Sequence, residues 1–244
     1  MKKALLLTGL LLVLVAPLAM AAGVSLNWGT NCWGDGAQQL MTFACASNTS
    51  PANWRMTSSF KLDAGMTDYI NFNTYIEGVS EAGAIPDWWK VSIPADCRGT
   101  ITNVWAHTVA GGSCPDPFEG TASGGGGYGY YSPTQIEIQA VYTVAAGVAI
   151  DPNTEYYLST FAIKNGKTLG AGTLSCAGCP LGMVFGLREA LIGPELSGPV
   201  IRLAEPYSGG NSCITWQHAF TGQPCNAPVP TRNTTWGQVK SLYR

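Results

Sequence analysis

The sequence predicts an all-β protein: an antiparallel two-sheet sandwich, jelly-roll-like, with about ten strands and a short C-terminal helix. Three observations predict it. Apolar residues alternate with polar ones, which is the period of a strand with one wet face. The 30 glycines and 15 prolines punctuate the chain between these alternating stretches. Before the last few residues, no long stretch repeats at the helical period of 3.6.

The elements follow in order. Met1, Lys2 and Lys3 precede an apolar run over 4–18, and Ala19, Met20 and Ala21 form a small-x-small cleavage site. This is the layout of a secretory signal over 1–21, with cleavage after Ala21. Residues 22–244 are then expected to form a single disulfide-stapled β-sandwich domain. No later stretch is apolar enough to span a bilayer, so no membrane insertion is expected after cleavage.

Residues 24–28 read as a first short strand, and 31–36 as a turn-rich loop. Phe43, Ala44 and Cys45 look like a strand end, and 55–62 alternates moderately. Residues 69–77 are clearer: Ile70, Phe72, Thr74 and Ile76 share one face, and Asn71, Asn73 and Glu77 the other. A strand candidate at 101–105 is followed by a stretch, 110–133, where the pattern breaks down. There Gly124–Gly127 and Tyr128–Tyr131 are expected to form a glycine-tyrosine loop. Residues 135–144 carry the best alternation, with Ile136, Ile138, Ala140 and Tyr142 opposite Gln135, Glu137, Gln139 and Thr143. A long strand over 154–164 ends in Asn165-Gly166, a hairpin signal. Strands at 181–192, 200–204 and 213–216 complete the count. At the C-terminus, Thr235-Trp236-Gly237-Gln238 fits a capping box. Trp236, Val239 and Tyr243 then form one helical stripe.

Charge excludes some functions. Loss of Lys2 and Lys3 would take the formal net charge from −2 to −4. No basic footprint for nucleic acid exists, and no polybasic patch for anionic lipid. Charged residues make up 11% of the chain, well under the usual quarter, so solubility rests on uncharged polar groups.

The cysteines are Cys32, Cys45, Cys97, Cys114, Cys176, Cys179, Cys213 and Cys225. An even count behind an export signal favours disulfides. Pairing of neighbours is the simplest expectation: 32–45, 97–114, 176–179 and 213–225. Cys176-Ala177-Gly178-Cys179 has the spacing of a redox dithiol, but its flanks lack the helix start that would activate a thiol. A zinc site would need a second paired motif.

Chemistry-bearing constellations are sparse, and no catalytic residue is assigned. His107 and His218 are the only histidines, and both sit in strand-like, tryptophan-rich contexts rather than in a nucleophile motif. Acidic candidates for glycoside hydrolysis are Glu77, Asp87, Glu137, Glu155 and Glu189, of which Glu137 and Glu155 would come near each other on the wet face of central strands. No cofactor or metal is expected, although an irregular structural calcium site between loops stays open. Trp88 and Trp89, with Tyr128, Tyr130 and Tyr131, are the candidate ligand-binding aromatics. On a strand, one of the two tryptophans would face outward as a sugar platform.

Several segments resemble a group of uncharacterised exported bacterial β-sandwich proteins. They are Phe43-Ala44-Cys45, Pro86-Asp87-Trp88-Trp89, the C-x-x-C loop, Thr215-Trp216-Gln217 and the closing decapeptide from Thr235 to Arg244. The resemblance implies export and a β fold, and transfers no catalytic residue. The expectation is therefore a secreted, cell-surface or periplasmic β-sandwich without enzymatic activity. Its role would be structural or ligand-binding, with carbohydrate or another surface protein as partner. The alternatives are a carbohydrate-active hydrolase with paired carboxylates and a self-assembling surface subunit.

Overall fold

Among the described residues, alternation of side chains along eleven strands builds two stacked sheets whose inner faces are mainly apolar. The computed structural model describes residues 22–36, 38–49, 54–91, 94–101, 103–194, 199–207 and 209–219. The signal segment 1–21, the C-terminal helix, the closing decapeptide, Trp236 and Cys225 lie outside the described residues.

The strands are β1 (Gly23–Trp28), β2 (Leu40–Met41), β3 (Arg55–Lys61), β4 (Met66–Ser80), β5 (Val104–Ala106) and β6 (Ser123–Ser132). They continue with β7 (Gln135–Ile150), β8 (Tyr156–Ala162), β9 (Met183–Pro194), β10 (Ile201–Leu203) and β11 (Cys213–Trp216). One sheet has the order β1-β3-β8-β5. The other runs β2-β11-β9-β4-β7-β6, with β10 also on β9. Pairing is antiparallel except between β11 and β2. Among the described residues there is no α-helix, only three single 3-10 turns, and no helix is long and apolar enough to cross a membrane.

Two expectations about elements are corrected. The glycine-tyrosine segment is not a loop: it is β6, paired with β7 from Ser123↔Thr143 to Ser132↔Gln135. Gly126, Tyr128 and Tyr130 alternate with Gly125, Gly127 and Gly129, so the segment keeps a strand's period despite a loop's composition. Asn165-Gly166 does make a turn, closed by Thr168 N–H to the Asn165 carbonyl. It does not make a hairpin, because β8 and β9 belong to different sheets.

Trp28, Trp54, Trp88, Trp89 and Trp216 fill the core. Trp216, fully buried, is stacked on Phe43 at 4.0 Å and on Trp88 at 5.1 Å, and meets Trp54 and Trp89 edge-on at 5.1 Å each. Aromatic pairs of this kind add about 0.5–1.5 kcal/mol each beyond area burial. A second nest joins Tyr69, Phe72, Phe118 and Tyr142 at the other end. Between them a chain of hydroxyls crosses the core: Ser58 and Ser159 at 2.8 Å within one sheet, Ser159 and Thr74 at 3.2 Å across to the other.

The cysteine pairing is also corrected. The bonds are Cys32–Cys114, Cys45–Cys179 and Cys97–Cys176, with Cα–Cα distances of 5.4, 5.9 and 5.8 Å. Three of the expected neighbour pairs are therefore absent, and 213–225 includes a residue outside the described set. No described cysteine is free. A sandwich gathers loops from distant sequence at its ends, so nearness along the chain is a poor guide to nearness in space.

Candidate functional site

The outer face of the larger sheet is built by the phase of its central strands. Phe72, Thr74 and Ile76 of β4 and Ile136, Ile138 and Ala140 of β7 are buried. Period two therefore turns Asn73, Tyr75 and Glu77, with Glu137 and Gln139, to the other side. Register sets Tyr75 opposite Gln139 and Glu77 opposite Glu137.

These side chains hold one another. Asn73 Nδ2 donates to Tyr75 Oη at 2.6 Å, and Gln139 Nε2 donates to Asn73 Oδ1 at 3.1 Å. Arg188 Nε donates to Glu77 Oε2 at 2.5 Å. Two carboxylates facing each other across a ladder repel, and the guanidinium beside Glu77 offsets that. Arg188 reaches this place through a β-bulge. The register steps from Tyr75↔Glu189 to Ile76↔Leu187, which leaves Arg188 as the extra residue. Glu189 beside it pairs with Arg202.

A shallow groove of about 270 Å³ lies next to Glu137 and Gln139, over Gly127, Tyr128, Gly129 and Tyr130 of β6. A Cβ added at Gly125, Gly127 or Gly129 would meet nothing within 4 Å. The glycines thus leave a bare backbone floor beside a polar wall.

The predicted aromatic platforms are elsewhere. Trp88 and Trp89 lie on a 3-10 turn (Asp87–Trp89), not a strand, and both are in the interior at 0% and 1% exposure. Trp88 donates through Nε1 to Thr168 Oγ1 at 2.9 Å, and the Arg98 guanidinium lies 3.9 Å from its ring centre. Tyr128 points between the sheets, stacked on Phe161 at 6.0 Å, and its hydroxyl donates to the Trp89 carbonyl. Tyr130 meets the Tyr128 ring edge-on at 6.2 Å. The Tyr131 side chain is outside the described set. Among described side chains no aromatic is exposed: the exposed large hydrophobics are all aliphatic. The expectation of an outward tryptophan is therefore corrected.

The other candidates separate as well. Glu155 does not approach Glu137. It lies beside the smaller sheet, where its Oε1 accepts from Trp33 N–H at 2.9 Å, Ser59 Oγ at 2.6 Å and Tyr207 Oη at 2.6 Å. Its Oε2 accepts from Gly34 N–H at 3.2 Å. Burial, and then the Glu155 carboxylate, push the Tyr207 hydroxyl well above the usual phenol range. His107 Nε2 sits 3.1 Å from Asp116 Oδ2, and Asp116 also accepts from the backbone of Phe118 and Gly120. Among the described residues no hydroxyl is hydrogen-bonded to His107. Cys176 and Cys179 bond to Cys97 and Cys45, so they are not a redox pair.

Among the described residues, the one group of three metal-ligating side chains is Cys32, Cys114 and Glu155. Its two sulfurs are joined to each other, so they offer no thiolate.

Strand phase in the sequence already separates Asn73, Glu77, Glu137 and Gln139 from the core. What it does not carry is the partnership of β4 with β7, or the bulge that aims Arg188. No protein-family model matches this chain, and the comparison with curated proteins returns no match.

Proposed function

We propose that this protein is exported and acts outside the cytoplasm as a non-enzymatic β-sandwich that binds carbohydrate along the outer face of the larger sheet. Export is supported by the charged, apolar and small-x-small order of 1–21 and by three disulfides, which persist in oxidising compartments. The observation that carries the binding reading is the interlocked set of Asn73, Tyr75, Gln139, Glu77 and Arg188 beside the glycine-floored groove. A sugar presents hydroxyls that both donate and accept. Amides, a phenol and carboxylates match both needs, and side chains already fixed by one another lose little freedom on binding.

The test is calorimetry of the wild-type chain against polysaccharides that score on a glycan array. Asn73→Ala/Gln139→Ala should weaken binding at least tenfold, since two hydrogen bonds contribute about 1 kcal/mol each. Equal affinity in this variant, or no glycan bound at all, rules the reading out.

A second reading has one specific observation in its favour: Glu77 and Glu137 face each other across β4 and β7. Two carboxyl groups about 5–10 Å apart on either side of a glycosidic bond can hydrolyse it. Release of reducing ends that Glu137→Gln abolishes, with binding intact, selects it over simple binding.

A further inference from the structure

We infer that β6 is an assembly edge, on which a second copy of this chain adds its own β6 in antiparallel register. Among the described residues, β6 ends the larger sheet and pairs only with β7. Its ten residues contain no charge and no proline. Ser123, Gly124, Gly126 and Gly127 are exposed.

The other sheet margins are treated differently. Along β1, the amides of Val24, Leu26 and Trp28 donate to the carbonyls of Glu205, Asn211 and Gln38, so the chain covers its own edge. β2, β5 and β10 are only two or three residues long. Short strands, charges, prolines, bulges and covering segments are the usual protections of an edge. Among the described residues β6 has a bulge between Tyr130 and Ser132, with Lys90 and Asp96 beside that end, and its glycine end has none of them.

The occupant follows from charge and symmetry. An uncharged strand pairing with itself sets no like charges opposite each other, and it offers nothing for a charged partner to read. Antiparallel pairing of identical strands is an isologous twofold contact, which closes at two copies. Trp105 of β5 lies against the backbone of Gly126, so the strand is held on the sandwich before a partner arrives. The result is one sheet continuous through both copies.

The test uses chain purified from the periplasm of an expressing bacterium. Sedimentation and light scattering across a hundredfold concentration range should show a monomer–dimer equilibrium. Hydrogen exchange of 123–132 should slow as concentration rises. Gly125→Lys/Gly127→Lys places two cations on the edge where no Cβ clash exists, and should weaken dimerisation at least 30-fold with an unchanged far-UV spectrum. A wild-type monomer throughout, a dimer that the double variant keeps, or concentration-dependent protection outside 123–132 overturns the proposal. Protection of 123–132 that appears only with an added extended peptide also overturns it, and assigns the edge to a different partner. The exchange measurement needs no substitution, so a poorly folding variant leaves the test intact.

Discussion

Two adjacent tryptophans show how one residue's environment departs from its sequence pattern. Consecutive residues on a strand face opposite ways, yet Trp88 and Trp89 are both interior because Pro86 and Asp87 open a 3-10 turn. The Pro-Asp step was the available signal, since it favours turn initiation over strand. Arg98 completes this corner. It is fully buried, lies on the Trp88 ring and donates to the carbonyls of Trp88, Lys164 and Gly166, while burial lowers its pKa. Buried tyrosines give a pH prediction. Tyr69 is raised by burial first and by Asp116 second, and Tyr207 by burial first and by Glu155 second. In the unfolded chain both hydroxyls ionise near pH 10; in the folded chain they stay neutral beyond it. Their contribution is therefore fully present below pH 10 and is lost as pH rises above it. Each removes about 1.4 kcal/mol per pH unit in that range. Urea unfolding between pH 8 and 11.5 should be flat and then fall. Tyr69→Phe should reduce the slope above pH 10 by about 1.4 kcal/mol per unit; an unchanged slope refutes the assignment.

At the level of elements, β4 and β7 were legible and β6 was not. Ile136, Ile138 and Ala140 alternate with charged and amide residues, so the sequence alone separates their two faces. In β6 the same alternation is carried by Gly126, Tyr128 and Tyr130, and glycine's association with loops hides it. The two glycine sets have different physical reasons. A Cβ on Gly126 would come within 2.2 Å of the Trp105 ring, whereas Gly125 and Gly127 face open space. Gly126→Ala should cost about 1–3 kcal/mol by overpacking. Gly125→Ala should be neutral or stabilise by up to about 1 kcal/mol, by restricting the unfolded chain. Chemical denaturation of the two variants distinguishes them, and equal effects would show that Trp105 does not set the requirement.

For the molecule as a whole, the two-sheet architecture was legible from patterning, while the cross-links were not. Nothing in cysteine spacing says that the loops around Cys45, Cys97, Cys176 and Cys179 share one end of the sandwich. The bonds close spans of 82, 134 and 79 residues. Taken singly, each restricts the unfolded chain by about 4–5 kcal/mol in the loop-entropy model. Reduction of any one bond should therefore lower Tm by roughly 8–20 °C, given about 2–4 °C per kcal/mol at this size. A shift under 5 °C by calorimetry would mean that packing alone holds the sheets. The C-x-x-C loop has two such bonds leaving it in different directions, and none of the three observed bonds joins cysteines that are consecutive along the chain. Sulfurs oxidised in order of synthesis would meet the wrong mates: Cys45 emerges long before Cys179. The native pairs thus form, or are reached by thiol–disulfide reshuffling, only once the sheets have brought these loops together. A host that supplies an oxidant without an isomerase would accumulate scrambled, trapped chains.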